Sequence, residues 1–419
     1  MTHSLRLMCS LMCSLLMTSA ALMPFDARGE KIRVAVIDPL SGAFAPNGEN
    51  KLHSFQMIAE LANKEQWAGD NTIEYVGFDN KGSPQESLSV LKTVIDQGFR
   101  YITQGESSAV ALALVDALNK HNERSPGAEV VFLNNAAVDP DLTNSKCSFW
   151  HFRFDANSDM KMEALTTFMA PDASIKKVYI IGQNYSHGMH VTRAAKENLK
   201  RKRPDIQIVG DDLHPIATVK DFSPYVAKIK ASGADTVITG NWGADLALLI
   251  KAAKDADLKV NFYTYYGATT GVPTAMGAAG ANRVKTINYW NPNNDGFVGK
   301  ELVDGFKQRY RDDFYRAATH STTVMLAQAI KTARSADPTK VAFALEGMKS
   351  KSLNGDIMMR KSDHQLLQPM YISTWVKTNG SDVRYDQENT GFGWKTNQKL
   401  DAETMSQPST CQMKRPAQS

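Results

Sequence analysis

The stretch KIRVAVIDPLSGAFAPNG, residues 31–48, constrains the fold more than any other. Three β-branched residues at alternate positions, Ile32, Val34 and Val36, give a buried strand, which runs into a Pro/Ser/Gly loop before a helical pattern opens near Gly48. In an open α/β sheet, the loop at a strand's C-terminal end is where ligands are held. Short apolar runs then alternate with helical patterns along most of the chain. Strands are expected over 72–78, 100–103, 129–133 and 149–154, with helices over 49–66, 85–97 and 107–121. A second series begins with KKVYIIG at 176–182 and continues through strands at 206–212, 234–240 and 260–266. The Gly/Ala-rich run 267–283 reads as a loop, 284–290 as a strand, 297–312 and 317–335 as helices, and 356–377 as two strands around a polar turn. Beyond 380 the chain is polar and is expected to lie along the surface.

Alternation of this kind implies parallel sheets covered by helices. With 419 residues the chain exceeds the ~250–300 at which one core stops growing, so two lobes are expected. A cleft between lobes is a preferred place for a small-molecule site.

The first 28 residues carry one early positive charge, Arg6, and an apolar run from Leu7 to Met23. They read as a secretory signal peptide, which places the protein in the periplasm. Two of the four cysteines, Cys9 and Cys13, leave with that leader; a lipoprotein reading of either is disfavoured by the methionine that precedes it. Cys147 and Cys411 remain, and an oxidising compartment favours a disulfide over two free thiols. No later run has the ~18 apolar residues of a membrane span. The net charge of +4 is small for this length, and the basic run LKRKRPD at 199–205 ends a helical pattern, so no nucleic-acid partner is expected. Nothing in the sequence calls for more than a monomer.

Catalytic chemistry is sparse. Metalloprotease, nucleophile-elbow, P-loop and CxxC motifs are all missing, and no cofactor or metal is expected. His187 and His190 are close in sequence but have no acidic third ligand beside them; His320 and the pairs Asp211–Asp212 and Asp312–Asp313 sit where capping and solvation account for them. Binding chemistry is richer. Gln104-Gly105-Glu106-Ser107-Ser108 joins a strand end to a helix start, where hydroxyls and backbone N–H groups suit either a carboxylate or a simple N-cap. Asn134-Asn135-Ala136-Ala137-Val138 follows the next strand, and Tyr185, Trp242, Tyr265, Tyr266 and Tyr289 recur at strand ends of the second half, which suggests an aromatic-lined cleft.

In order and spacing, VAVIDPLSGAFAPNG, ESLSVLKTVIDQG, ESSAVALAL, NNAAVDPDLT and the NYSHG turn after KKVYIIG resemble the periplasmic solute-binding proteins of branched-chain amino acid ABC importers. The likeness covers nearly all of residues 31–375. It implies two Rossmann-like lobes joined by three crossovers near 152–158, 282–285 and 349–353, closing on ligand without catalysis, and a membrane permease as partner. The lobes would then be 29–153 with 285–350 and 154–284 with 351–400, followed by a tail at 401–419. It also implies that Ser108, with Ser107 beside it, binds the ligand carboxylate. Groups at Ala136 and Val138 would help hold the ligand head, and Tyr185 and Trp242 would line the pocket.

Three positions depart from the family pattern. A threonine is replaced by Val138, the acidic residue that pairs with the α-ammonium by Tyr266, and an aromatic of the first loop by Asn47. Burying an ammonium without a carboxylate costs several kcal/mol. A carboxylate ligand lacking an amine, such as an aromatic acid against Tyr185, Trp242 and Tyr266, is therefore expected, unless Asp245 or Glu106 supplies the charge. A receptor-linked sensor and an exported hydrolase or lyase are the competing classes.

Overall fold

The computed structural model describes residues 29–417 apart from residue 354; the signal-peptide expectation lies outside the described residues. The chain enters through β1 (Lys31–Asp38), α1 (Ala45–Lys64), β2 (Thr72–Asp79), α2 (Pro84–Asp96), β3 (Tyr101–Gln104), α3 (Ser108–Arg124), β4 (Val131–Asn134) and β5 (His151–Arg153). These strands form one sheet in the order β2-β1-β3-β4-β5, every pairing parallel. Its central strands are apolar on both faces, as a sheet covered by helices on two sides requires.

The chain then crosses to a second lobe with α4 (Ser158–Met169), β6 (Lys177–Gln183), α5 (Ser186–Lys202), β7 (Gln207–His214), α6 (Ser223–Ala231), β8 (Thr236–Thr239), α7 (Gly243–Asp255), β9 (Asn261–Thr264), a short α8 (Val272–Met276) and β10 (Val284–Asn288). It returns to the first lobe with α9 (Lys300–Tyr310), α10 (Ala317–Ala333) and α11 (Pro338–Leu345), then a small antiparallel sheet of β11 (Lys349–Ser352), β12 (Gly355–Met359) and β13 (Leu366–Leu367). Finally β14 (Met370–Lys377) and β15 (Phe392–Leu400) complete the second sheet, β15-β14-β10-β9-β8-β6-β7, before the short α12 (Ala402–Met405).

Three details differ from the sequence reading. β10 pairs in parallel with β9 and antiparallel with β14, so residues 285–288 belong to the second lobe and the chain leaves it after Asn288, not near 282–285. Residues 351–367 stay with the first lobe, because Ile357, Met359 and Leu366 pack into its core; the third crossing falls between β13 and β14. The polar stretch past 380 contains an edge strand, β15, whose Lys395, Asn397 and Lys399 face solvent while Trp394 and Leu400 are buried. Cys147 and Cys411 are bonded, with Cα atoms 5.7 Å apart, and both lie against the first-lobe core. Among the described residues no helix is long and apolar enough to cross a membrane.

Candidate functional site

Loops at the C-terminal ends of parallel strands in both sheets meet at one cleft. On the first-lobe side, β1 ends in Asp38, which is fully buried and accepts from the backbone N–H groups of Gly105 at 3.2 Å and Glu106 at 3.1 Å. Lys51 of α1 pairs with Asp38 at 3.1 Å and with Glu106 at 2.6 Å, and Arg316, just before α10, reaches Glu106 at 3.3 Å. The result is a buried chain of alternating charge, Asp38–Lys51–Glu106–Arg316. Burial pushes the Asp38 carboxyl up against the pull of Lys51. Burial also raises Glu106, but Arg316 and Lys51 together outweigh it and hold that carboxyl below its usual range.

Ser107 and Ser108, adjacent in sequence, are placed differently. Ser107 Oγ accepts from the Val110 N–H at 3.5 Å and caps α3; it does not line the cleft. Ser108 does line it. Its Oγ accepts from the Asp139 N–H at 3.2 Å, which leaves its own proton free to be donated. The loop after β4 is drawn tight by Asn134, whose Oδ1 accepts from Ala136 at 3.2 Å and Ala137 at 2.8 Å. Gly105 must be glycine: a Cβ there would stand 2.5 Å from Asn135 Oδ1 and 2.7 Å from the Ala136 nitrogen.

The second lobe contributes the N-termini of α5 and α7, which begin after Tyr185 and Trp242 and carry no side-chain cap. Their free N–H groups and helix dipoles favour a negative charge nearby. Trp242 Nε1 donates to the Tyr185 hydroxyl at 2.8 Å, which fixes both rings. His187 is buried with its Nε2 3.0 Å from the Gly240 carbonyl, so that nitrogen carries the proton and Nδ1 is left without a partner; burial pushes its pKa down to about 4. The lobes meet here. The Phe44 ring packs tilted against Trp242, centroids 4.0 Å apart, and Gly243, at φ +58°, sits where a side chain would strike Asn47 and Phe44. His190 of α5 also reaches Asp139 across the rim, at 3.4 Å.

A narrow slot results, lined by Ser108, Ala136, Val138, Tyr185, Trp242 and Tyr266, six of the seven residues expected from sequence. Asn47, Glu106, His187 and Arg316 line it as well. It opens through Ala136, Tyr266, Thr269 and Arg316 into a larger cavity of about 110 Å³. There Lys161 pairs with Asp155 at 2.7 Å and lies 4.8 Å from the centre of the Tyr266 ring, with Tyr289 and Trp290 among the other walls. Burial pushes Lys161 down and Asp155 up, each opposed by the other's charge.

The carboxylates that face the slot and cavity are already ion-paired: Glu106 with Lys51 and Arg316, Asp155 with Lys161, Asp304 with Lys300, and both Asp313 and Asp386 with Lys307. Asp245 lines neither; it accepts from Gln183 at 2.8 Å and from the Ala217 N–H at 2.9 Å. His187 and His190 do not converge on one point. His187 faces the slot, while a ring nitrogen of His190 lies within 4.8 Å of carboxylate oxygens of Asp139 and Asp141. Arg316 and Lys161 carried no signal in the sequence as ligand-facing groups.

A family model described as periplasmic binding protein matches residues 31–381. The chain belongs to that family. Its members are extracytoplasmic solute-binding proteins of ABC importers, which bind small molecules and are not enzymes. The Leu/Ile/Val-binding protein homolog 4 of Brucella abortus (strain 2308) is 31% identical over 401 residues, 93% of this chain and 94% of the relative. A solved leucine-, isoleucine-, valine-, threonine- and alanine-binding protein from Brucella ovis, in a closed conformation, is 30% identical with a TM-score of 0.82, covering 93% of this chain and all of the other. A solute-binding protein from Rhodopseudomonas palustris BisB5, solved with 3,4-dihydroxybenzoic acid, shares the fold at 19% identity and a TM-score of 0.77, over 89% of this chain and 98% of its own.

Proposed function

We propose that this binding protein captures a small carboxylate lacking an α-ammonium, an aromatic or hydrophobic acid, by closing its lobes, and delivers it from the periplasm to a membrane permease. One observation carries the reading: each carboxylate facing the cleft is already spent on a lysine or arginine. An incoming ammonium would have to displace one of those partners or stay unpaired at a cost of several kcal/mol. A carboxylate, in contrast, would meet the Ser108 hydroxyl and the uncapped N-termini of α5 and α7. Tyr185, Trp242 and Tyr266 would hold its apolar body, with the backbone at Ala136 and Val138 on the opposite side.

Binding of branched-chain amino acids is the second reading, and the Brucella relatives, named for binding leucine, isoleucine and valine, favour it. A thermal-shift screen of ligand-free protein separates the two. A ligand at ~100 times its Kd adds about 2.7 kcal/mol of stability. Stabilisation by benzoate-type acids but not by leucine, isoleucine or valine is the expected result; the reverse pattern would overturn it.

A further inference from the structure

Capture of one carboxylate at Ser108 leaves two buried cations, each paired with one carboxylate, that keep donors to spare. Arg316 belongs to the first lobe and Lys161, on α4, to the second, yet both line the larger cavity, 8% and 2% exposed. A guanidinium carries five N–H donors and is usually buried against planar, bidentate partners. Among the described residues, Arg316 has a single ion-pair partner, the Glu106 oxygen at 3.3 Å, and its Nε–H has no acceptor. That same oxygen is held more closely by Lys51, at 2.6 Å. Glu106 keeps the guanidinium charged despite its burial, but one long, shared contact uses little of its donor set. Among the described residues Lys161 has Asp155 as its one ion-pair partner; burial is the main cause that pushes its pKa down, and the positive charges of Arg153 and Arg316 add to it. Two like charges thus act on each other around one cavity without a carboxylate in common. An oxyanion between them would relieve both.

We propose that Arg316 and Lys161 form a second acid-reading subsite, so that the ligand is a diacid. One carboxylate lies at Ser108 and the other is clasped between the lobes by these two cations. The inference rests on the carboxylate reading above and narrows it. It also gives the second acid group a role in closure, since Arg316 and Lys161 come from opposite lobes and a ligand group held by both would tie those lobes together.

Calorimetric titration of the full protein with three probes of one skeleton tests it: terephthalate, its monomethyl ester and benzoate. Terephthalate should bind at least about tenfold more tightly than the monoester. Arg316→Lys and Lys161→Gln should each reduce that ratio about tenfold or more. Equal affinity for diacid and monoester in the unmutated protein overturns the subsite, even should the variants fail to fold. So does an unchanged ratio in the variants, which would make Arg316 a mere counter-charge to Glu106. Benzoate binding without a diacid preference sinks this inference alone. Binding of leucine and of none of the acids sinks the carboxylate reading with it.

Discussion

The first-lobe wall of the cleft is made of short loops, a serine hydroxyl and a chain of four buried charges, whereas the second-lobe wall is made of Tyr185, Trp242, Tyr266 and two uncapped helix starts. The first wall is fixed by bonds within itself: Asp38 holds the backbone of Gly105 and Glu106, and Asn134 holds its own loop. The second is fixed mainly by rings resting on rings and by one Trp–Tyr hydrogen bond. Under the carboxylate reading proposed above, a wall braced by its own hydrogen bonds would read the charged head, and a wall of aromatic faces would close over the body that follows.

That contrast is most exposed at Lys51. Lys51→Met leaves Asp38 and Glu106 buried without their shared cation, and breaking a buried pair of this kind costs about 3–5 kcal/mol. Urea unfolding should show the loss; a shift below 1 kcal/mol would mean that the charge chain does not brace the first wall.

Acid should weaken the second wall next. His187 is held at about 4 against an ordinary 6.5, so it stays neutral when folded while the unfolded chain takes up a proton. Its contribution is complete above pH 6.5 and is lost as the pH falls towards 4, about 3 kcal/mol in all. His187→Gln should flatten the stability-against-pH curve over that interval. Identical slopes for the two proteins would remove His187 from the account.

The smallest effects concern ligand. Ser108→Ala should weaken acid binding about tenfold to a hundredfold, the range for a hydrogen bond to a charged group. Tyr185→Phe, which removes only the acceptor of Trp242 Nε1, should weaken it by less than about tenfold. Equal losses by titration would erase the division of labour between the walls.

Much of this was legible in the sequence because its signals are local. A β-branched run followed by Gly, Ser or Asn marks a strand and the loop it feeds, and such loops supply Ser108, Ala136 and Val138. The second crossover lies later than the sequence implies because VKTINYW has the same alternation whichever sheet it joins; only pairing with β9 and β14 decides. β15 was hidden because an edge strand keeps a polar outer face, and its lysines read as tail. Arg316 stands about two hundred residues from Ser108 in an unremarkable helix start, and Lys161 lies in SDMKMEAL, where a lysine ordinarily faces water. Both are buried only because a second lobe lies opposite, and no local pattern encodes that.

The bond between Cys147 and Cys411 has a topological consequence. Cys147 precedes, and Cys411 follows, every strand of the second lobe and all three crossings, so the whole of that lobe lies inside one covalent ring. A single cut of the backbone anywhere within the ring opens it without releasing a fragment. The two halves of a nicked molecule remain one piece until a reductant arrives, and a protease must cut twice to take the trap apart.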